Sequence, residues 1–249
     1  YFIMILLKNV TKTFGTFTAV NNLNIEMNSG NVIGLIGPNG AGKTSTINMI
    51  VGLSKPTTGS IEMFGKKMNE DSIDIKQYIG YVSDNSNRFL KLKGIEYLNF
   101  IADIYKISKD KRKESIIELA KTFEMIDHLE KKIEEYSKGM KQKITIISSL
   151  LHNPKLWILD EPFDGLDPTS CYTLKKFMKQ YSQKGNIVLV SSHILDIMEN
   201  LCDDFILIKS GKTIYHGTMQ NLKKNFEQNK SLEDIYMEVL ENNGVIEFS

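Results

Sequence analysis

The sequence has few cysteines, no excess of charge of either sign and no long apolar run. Its two cysteines, Cys171 and Cys202, form no CxxC pair, so neither a disulfide framework nor a zinc site is predicted and a reducing compartment is favoured. With 31 basic and 30 acidic side chains the formal charge is +1, and no strong overall field indicates a nucleic-acid partner. The longest apolar runs, such as 144–151, fall far short of the roughly 20 residues needed to cross a bilayer. If the protein serves a membrane, another chain must span it.

The length suits one domain with an inserted lobe or an appendage. The 249 residues lie at the upper edge of what one domain usually occupies. A hydrophobic fraction of 41% and a charged fraction of 24% are typical of a globular protein. Three residues precede Met4, which we expect to be the natural start of the chain.

The hydrophobic periodicity changes twice along the chain. Short apolar or β-branched runs separated by turn signals predict strands near the N-terminus, and apolar residues at helical spacing predict an inserted helical lobe between 92 and 151. Strand signals then return as fully apolar runs, which are typical of a sheet covered on both faces. The predicted strands are 5–10, 23–27, 32–36, 60–64, 156–159, 187–190 and 205–208. The core is therefore predicted to be α/β, followed by one amphipathic helix near 232–240 that packs either on its own core or against a second copy.

A glycine-rich motif follows the third predicted strand. The run matches GxxxxGK[ST] and precedes a helical segment, the context in which this motif binds phosphate. Successive backbone N–H groups can curl round an anion, and the N-terminal end of the helix favours negative charge. Lys43 is predicted to reach the β- and γ-phosphates, and the Thr44 hydroxyl to ligate Mg²⁺. The residues predicted to contact nucleotide here are Gly37, Pro38, Asn39, Gly40, Ala41, Gly42, Lys43, Thr44 and Ser45.

Two carboxylates end the apolar strand at 156–159. In a protein with a phosphate loop, such a strand end lies beside the phosphates at the carboxyl edge of the sheet. Asp160 is the predicted carboxylate of the magnesium site, and Glu161 is placed to accept a proton from an attacking water. An Asp-Glu pair taken alone would more often be a solvated turn.

A further motif lies about twenty residues before Asp160. The run Tyr136-Ser137-Lys138-Gly139-Met140 resembles the LSGGQ signature of the ATP-binding cassette (ABC) family. Gly165-Leu166-Asp167-Pro168 resembles the D-loop of that family, and Ser192-His193 its switch histidine. These motifs occur in family order. The resemblance implies a head-to-tail dimer in which two ATP molecules each lie between the phosphate loop of one copy and Ser137 and Gly139 of the other. It also implies that His193 contacts the γ-phosphate and that Asp167 acts across the interface.

The same resemblance indicates an adenine-stacking ring and a glutamine that is replaced here. Phe14 matches the stacking aromatic, Phe17 is a weaker candidate, and core packing is the alternative for both. Asp84 stands where the family has its Q-loop glutamine. A carboxylate can accept from magnesium-bound water but cannot donate as an amide does. We expect Asp84 to contact the metal through water and to couple the site to a partner through the loop 83–88; a solvated loop aspartate is the alternative.

The sequence is thus identified as a member of the ABC family, similar to the ATPases of multidrug, antibiotic or peptide exporters. The expected α/β fold has a P-loop NTPase core with a mixed sheet, an N-terminal antiparallel β-subdomain and an α-helical subdomain inserted at about 85–152. The ATPase domain is expected to span 4–217 and a short helical extension 218–249.

The expected function is hydrolysis of MgATP that powers transport, in the export direction, through a separate transmembrane permease. Glu161, His193 and Lys43 are the expected catalytic residues, and Thr44, Asp160 and Asp84 the metal site. A second copy and the permease are the expected partners, nucleic acid is not, and the expected location is the cytoplasmic face of the cell membrane. The alternatives are an ABC-type clamp or assembly factor without transport, and a nucleotide-binding regulator that has lost hydrolysis.

Overall fold

The computed structural model describes residues 4–68, 72–84, 89–224, 226 and 230–241. Most of the predicted coupling loop, at 85–88, lies outside these residues, as do 1–3, 242–249 and the side chain of Leu240. In chain order the elements are β1 (Met4–Phe14), β2 (Phe17–Asn28), β3 (Val32–Ile36), α1 (Lys43–Ile50), β4 (Thr58–Met63), β5 (Lys66–Lys67), α2 (Ile73–Lys76), β6 (Ile79–Val82), α3 (Gly94–Ile104), α4 (Lys109–Thr122), α5 (Lys138–Leu150), β7 (Leu156–Asp160), α6 (Pro168–Gln183), β8 (Ile187–Ser191), α7 (Leu195–Leu201), β9 (Asp204–Lys209), β10 (Lys212–Thr218), α8 (Met219–Lys223) and α9 (Leu232–Glu241).

Six strands form the central sheet in the order β10-β9-β3-β8-β7-β6. The strands from β9 to β6 pair in parallel, whereas β10 pairs antiparallel to β9. Every residue of β3, β7 and β8 is buried, because helices or the second sheet cover both faces. The parallel arrangement brings the carboxyl ends of β3, β7 and β8 to one edge, where the phosphate loop, Asp160 and Ser191 meet.

The N-terminal sheet is antiparallel, in the order β2-β1-β4-β5. Its first two strands are longer than the predicted 5–10 and 23–27, because the hairpin continues to the pair Phe14 and Phe17. Those outer residues carry exposed side chains such as Phe14 and Thr18, so they lack the apolar signal on which the prediction rested. The hairpin matters for function because Ala19 on β2 lies against the phosphate loop.

Helices α3, α4 and α5 lie between β6 and β7 and pack on one another. Leu98, Ala102, Ile116 and Ala120 point into the shared core, as their helical spacing predicts. The combination of a mixed sheet, an antiparallel N-terminal sheet and an inserted helical lobe confirms the predicted fold class.

The C-terminal helix α9 packs on its own chain. Leu232, Ile235 and Val239 are fully buried against α7 and its surroundings. Of the two alternatives left open by the sequence, its own core or a second copy, the apolar face of α9 therefore packs on its own core. Glu199 on α7 accepts from the backbone N–H of Leu232 at 2.8 Å and pairs with Lys223 at 3.1 Å. Within the described ranges, no helix combines the length and the apolar character that a membrane crossing requires.

Candidate nucleotide-binding site

The phosphate loop connects β3 to α1 and depends on glycine at two close approaches. Gly42 has φ +105°, and a Cβ there would lie 2.5 Å from the Ala19 carbonyl oxygen. A Cβ on Gly37 would lie 2.4 Å from the Ile208 carbonyl oxygen. Gly42 is also the N-cap of α1 and has no side chain with which to bond the first-turn N–H groups. The positive end of α1 is therefore directed at the loop, an arrangement that suits an anion.

Lys43 is folded into this loop and is only 8% exposed. Its ammonium donates to the carbonyl oxygens of Gly37 at 2.6 Å and Pro38 at 3.3 Å. Burial lowers the pKa of Lys43, and the nearby carboxylates of Glu161 and Asp160 partly offset that effect. A buried cation with acidic neighbours on one side is suited to pairing with phosphate oxygens.

Asp160, at the end of β7, is 2% exposed and shares its two oxygens between two hydroxyl groups. Oδ1 accepts from the hydroxyl of Ser191, and Oδ2 lies 3.4 Å from Oγ1 of Thr44. The pKa of Asp160 is raised, mainly because the carboxyl is buried and also by the charges of Asp84 and Glu161. The Ser191 hydrogen bond and the charge of Lys43 partly offset this rise. A hydroxyl and a carboxylate oxygen facing each other beside a phosphate loop are hard oxygen donors that fit Mg²⁺.

Glu161 adopts a left-handed backbone conformation with φ +48°, which is uncommon for a residue with a side chain. Its N–H donates to the carbonyl oxygen of Ser191 at 3.1 Å, and this bond fixes the turn that follows β7. The carboxylate Oε2 lies 2.9 Å from Nδ1 of His193 and 3.3 Å from its backbone nitrogen. The imidazole is 68% exposed, so its other side is open to a ligand.

A cavity of about 290 Å³ brings most of the predicted site residues together. Asp84, Asp160 and Glu161 face the phosphate loop across it. Phe17 lines the cavity, whereas Phe14 lies beside it on the hairpin, 54% exposed, with the Lys12 ammonium 5.0 Å from its ring centre. The residues that line the cavity are Phe17, Ala19, Pro38, Asn39, Gly40, Gly42, Lys43, Thr44, Ser45, Asp84, Asp160 and Glu161.

The signature and D-loop residues contact each other outside the lining of this cavity. Ser137 is the N-cap of α5 and accepts from the Met140 N–H at 3.2 Å. Gly139 packs so closely on the D-loop that a Cβ would lie 2.7 Å from the Gly165 carbonyl oxygen. Lys138, a departure from the family pattern, pairs with Asp164 of the D-loop segment at 2.6 Å.

Asp167 is occupied within its own chain. Asp167 is the N-cap of α6, and its carboxylate accepts from the hydroxyl and, at 3.0 Å, from the backbone N–H of Ser170. These two hydrogen bonds lower the pKa of Asp167. The structure thus gives Asp167 a helix-capping role, and its action across an interface stays a prediction.

Sequence reasoning missed Ser191, which contacts both Asp160 and Glu161. Its signal was a polar residue at the end of an otherwise apolar strand, 187–190. That signal has meaning only once β8 is known to be the neighbour of β7, with Ser191 opposite Asp160.

The sequence matches the family model described as "ABC transporter" over residues 20–164. EcsA, an ABC-type transporter ATP-binding protein of Bacillus subtilis (strain 168), is 35% identical over 93% of this chain and 94% of its own length. The bacitracin transport ATP-binding protein BcrA of Bacillus licheniformis is 36% identical over 87% of this chain and 70% of its own length. The chain therefore belongs to the ABC transporter family and to its ATP-binding proteins, which confirms the resemblance drawn from the motifs.

Solved structures agree with this assignment. A structure described as the ATP-binding subunit of an ABC transporter superposes with a TM-score of 0.90 at 29% identity, covering 95% of this chain and 99% of that one. The dimeric post-hydrolysis structure of the ATP-binding cassette MJ0796 with ADP and phosphate superposes with a TM-score of 0.79 at 26% identity, covering 86% and 98%. The cassette MJ0796, to which this chain is similar, therefore binds ADP and phosphate and forms a dimer.

Proposed function

We propose that this chain hydrolyses MgATP as the ATP-binding subunit of an ABC exporter, working as a dimer on a separate membrane-spanning subunit. The observation that carries the proposal is the contact between His193 and Glu161, the carboxylate that lines the phosphate-loop cavity. A protein that only bound nucleotide would need no carboxylate at this point. The pair adds a proton acceptor to an anion-binding loop, and that combination is what hydrolysis requires.

The loop residues Gly37 to Ser45 hold the phosphates, with Lys43 turning from the carbonyl oxygens of Gly37 and Pro38 to the β- and γ-phosphates. Adenine stacks on the hairpin, where Phe17 lines the cavity and Phe14 is the alternative ring. Thr44 and Asp160 would hold Mg²⁺, with Asp84 on the same cavity as the further candidate for contact through water. The ion, when bound, neutralises charge on the phosphate oxygens.

Glu161 takes the proton from the water that attacks the γ-phosphate. Its contact with Nδ1 of His193 orients the carboxylate, and the exposed side of the imidazole is open toward that phosphate. Since the carboxylate follows directly on Asp160, the base and the metal site are fixed by the same strand end. Lys43, Glu161 and His193 are therefore the catalytic residues of the proposal.

A second copy completes the site. Ser137 and Gly139 lie at the start of α5, where Gly139 packs on Gly165 of the D-loop, and they do not line the cavity of their own chain. Their hydroxyl and N–H groups, with the N-terminus of α5, face the γ-phosphate bound by the other copy. Two such copies would enclose two ATP molecules; the cassette MJ0796, to which this chain is similar, forms a dimer with ADP and phosphate bound. Hydrolysis then weakens the bridge and lets the halves separate.

The membrane subunit docks in a groove of about 310 Å³ between β6 and the helical lobe. Its lining includes the half-buried Tyr81 and Tyr105 and the exposed Phe89, and Phe100 and Ile104 of α3 are exposed as well. Exposed apolar side chains of this size are typical of protein interaction sites. Docking there places the chain at the inner face of the cell membrane. The similarity to BcrA, a bacitracin transport ATP-binding protein, supports a role in transport, and the export direction is part of the proposal.

The base assignment is tested by Glu161→Gln. The amide keeps the size of the side chain but cannot accept the proton, so we expect phosphate release to fall by at least about 100-fold. ATP binding should persist, and an ATP-bound dimer should accumulate in sedimentation or light-scattering measurements. Glu114→Gln, on an exposed position of α4, is the matched control and should behave as the wild type. Turnover of Glu161→Gln at the wild-type rate would contradict the proposal.

A further inference from the structure

Ser191 is a buried hydroxyl at the centre of the candidate site. It ends β8, has no exposed surface, and lies between Asp160 on β7 and Leu35 on β3 in the sheet register. The four residues before it in the strand are all aliphatic. A hydroxyl in such surroundings is retained only where its hydrogen bonds are satisfied. Its partners therefore indicate what it does.

The partners are the metal-site carboxylate and the backbone of the proposed base. The Ser191 hydroxyl donates to Oδ1 of Asp160. Its oxygen, Oγ, also accepts from the backbone N–H of Glu161, with 3.3 Å between Oγ and the nitrogen. That N–H also donates to the Ser191 carbonyl oxygen at 3.1 Å. A single residue thus contacts both functional carboxylate residues, although it does not itself line the cavity.

The bond to Oδ1 determines where the second carboxylate oxygen points. With Oδ1 held by Ser191, Oδ2 lies 3.4 Å from the hydroxyl of Thr44, beside the phosphate loop. Without the Ser191 hydroxyl the carboxylate can rotate about its terminal torsion, which is intrinsically broad. Hydrogen bonds of this kind to metal-ligating groups commonly set metal affinity.

We propose that Ser191 is a positioning residue of the magnesium site, whose hydroxyl holds Asp160 in the orientation that presents Oδ2 to the ion. The inference rests on the proposed function, because it assumes that the site binds ATP with Mg²⁺. It concerns a residue that neither the phosphate-loop motif nor the acidic strand end includes.

The test compares binding of the β,γ-imido analogue of ATP with and without Mg²⁺, so that no turnover is needed. For each variant, calorimetry gives the Kd in EDTA and the Kd in excess Mg²⁺, and the ratio of the two is the metal-dependent gain. In Ser191→Ala we expect this gain to be about tenfold smaller than in the wild type, with the Kd in EDTA unchanged. Ser191→Thr, which keeps the hydroxyl, should recover most of the gain.

Ser182→Ala is the matched control. Ser182 is also buried, at 1% exposure, but its hydroxyl donates to the Lys179 carbonyl oxygen on α6, outside the site. This control should keep the full gain, and thermal unfolding should show that all three variants are folded.

The possible outcomes separate the two proposals. A wild type that does not bind the analogue would overturn the proposed function and this inference with it. Binding by the wild type with an equal gain in Ser191→Ala would overturn only the role of Ser191. A Kd of Ser191→Ala that is weakened by the same factor in EDTA and in Mg²⁺ leaves the gain unchanged and would likewise reject positioning of the metal ligand, because it would show a general disturbance of the site.

Discussion

At the scale of single residues, His152 shows how the burial of one imidazole affects stability in acid. It follows α5, its ring stacks on Tyr105 with centroids 3.7 Å apart, and Nε2 lies 3.0 Å from the Ile79 carbonyl oxygen. A carbonyl can only accept, so Nε2 carries the proton and Nδ1 does not. Burial lowers the pKa of His152 to about 4, although the Ile79 carbonyl acts in the opposite direction.

The sign of the pH effect follows from this shift. The folded pKa lies below the ordinary value near 6.5, so the unfolded chain binds more protons as the pH falls from about 6.5 toward 4. Acid therefore favours unfolding in this window. In His152→Phe, which keeps the ring stack, we expect urea unfolding to show a loss of stability between pH 7 and pH 4.5 that is smaller by about 2 kcal/mol than in the wild type. Equal losses in the two proteins would contradict this role.

At the scale of secondary-structure elements, the N-terminal ends of three helices carry residues predicted to act in the site. The N-terminus of α1 forms the phosphate loop, and the N-caps of α5 and α6 are Ser137 and Asp167 of the signature and D-loop. The first N–H groups of a helix have no partner within the helix, and the side chain of the N-cap residue can accept from one of them. The same free N–H groups can bind an anion, so we expect Ser137 to affect both stability and ligand binding.

Ser137→Ala separates these two effects. Loss of the bond from Met140 should lower the free energy of unfolding by about 1 kcal/mol. If Ser137 also contacts the γ-phosphate of the other copy, the variant should raise the Kd of the ATP-bound dimer by tenfold or more. The dimer Kd is measured by sedimentation equilibrium in a Glu161→Gln background with MgATP.

Thr218→Ala provides the control for this comparison. Thr218 caps α8 and accepts from the Asn221 N–H at 3.2 Å, the same distance as in the Ser137 cap. We expect a similar loss of stability and an unchanged dimer Kd. If Ser137→Ala left the dimer Kd at the control value, the proposed contact across the interface would be rejected.

At the scale of the whole molecule, Asp84 lies at the junction of two regions. It lines the nucleotide cavity, while the preceding Ser83 lines the groove proposed for the membrane subunit. Phe89 and residues of α3 also line that groove. Because Asp84 and Ser83 are adjacent in the chain, we expect a change of charge at Asp84 to affect the groove proposed for the membrane subunit.

We expect Asp84→Asn to reduce the stimulation of ATP hydrolysis by the membrane subunit by roughly fivefold or more, in the range typical of coupling between sites. The membrane subunit is first identified by co-purification, and phosphate release is then compared with and without it. Asp110→Asn, at an exposed position of α4, is the control and should keep full stimulation. Stimulation at the control level in Asp84→Asn would remove the coupling role.

Much of this arrangement could be predicted from local signals. The apolar runs at 156–159 and 187–190 correspond to β7 and β8, and the GxxxxGK[ST] motif lies between β3 and α1 as expected. The hairpin ends near Phe14 and Phe17 were missed, because cross-strand pairing and not periodicity extends those strands. The domain boundary at 217 and 218 stays a prediction.

The sequence by itself determined the family, the fold class and the residues of the phosphate loop and acidic strand end, because these depend on short motifs and on hydrophobic periodicity. Only the tertiary structure decided that Ser191 contacts Asp160, that Phe17 lines the cavity, and that α9 packs on its own core. Those contacts join residues far apart in the chain. They arise from the order of strands in the sheet and from the packing of helices on it, which no local pattern encodes.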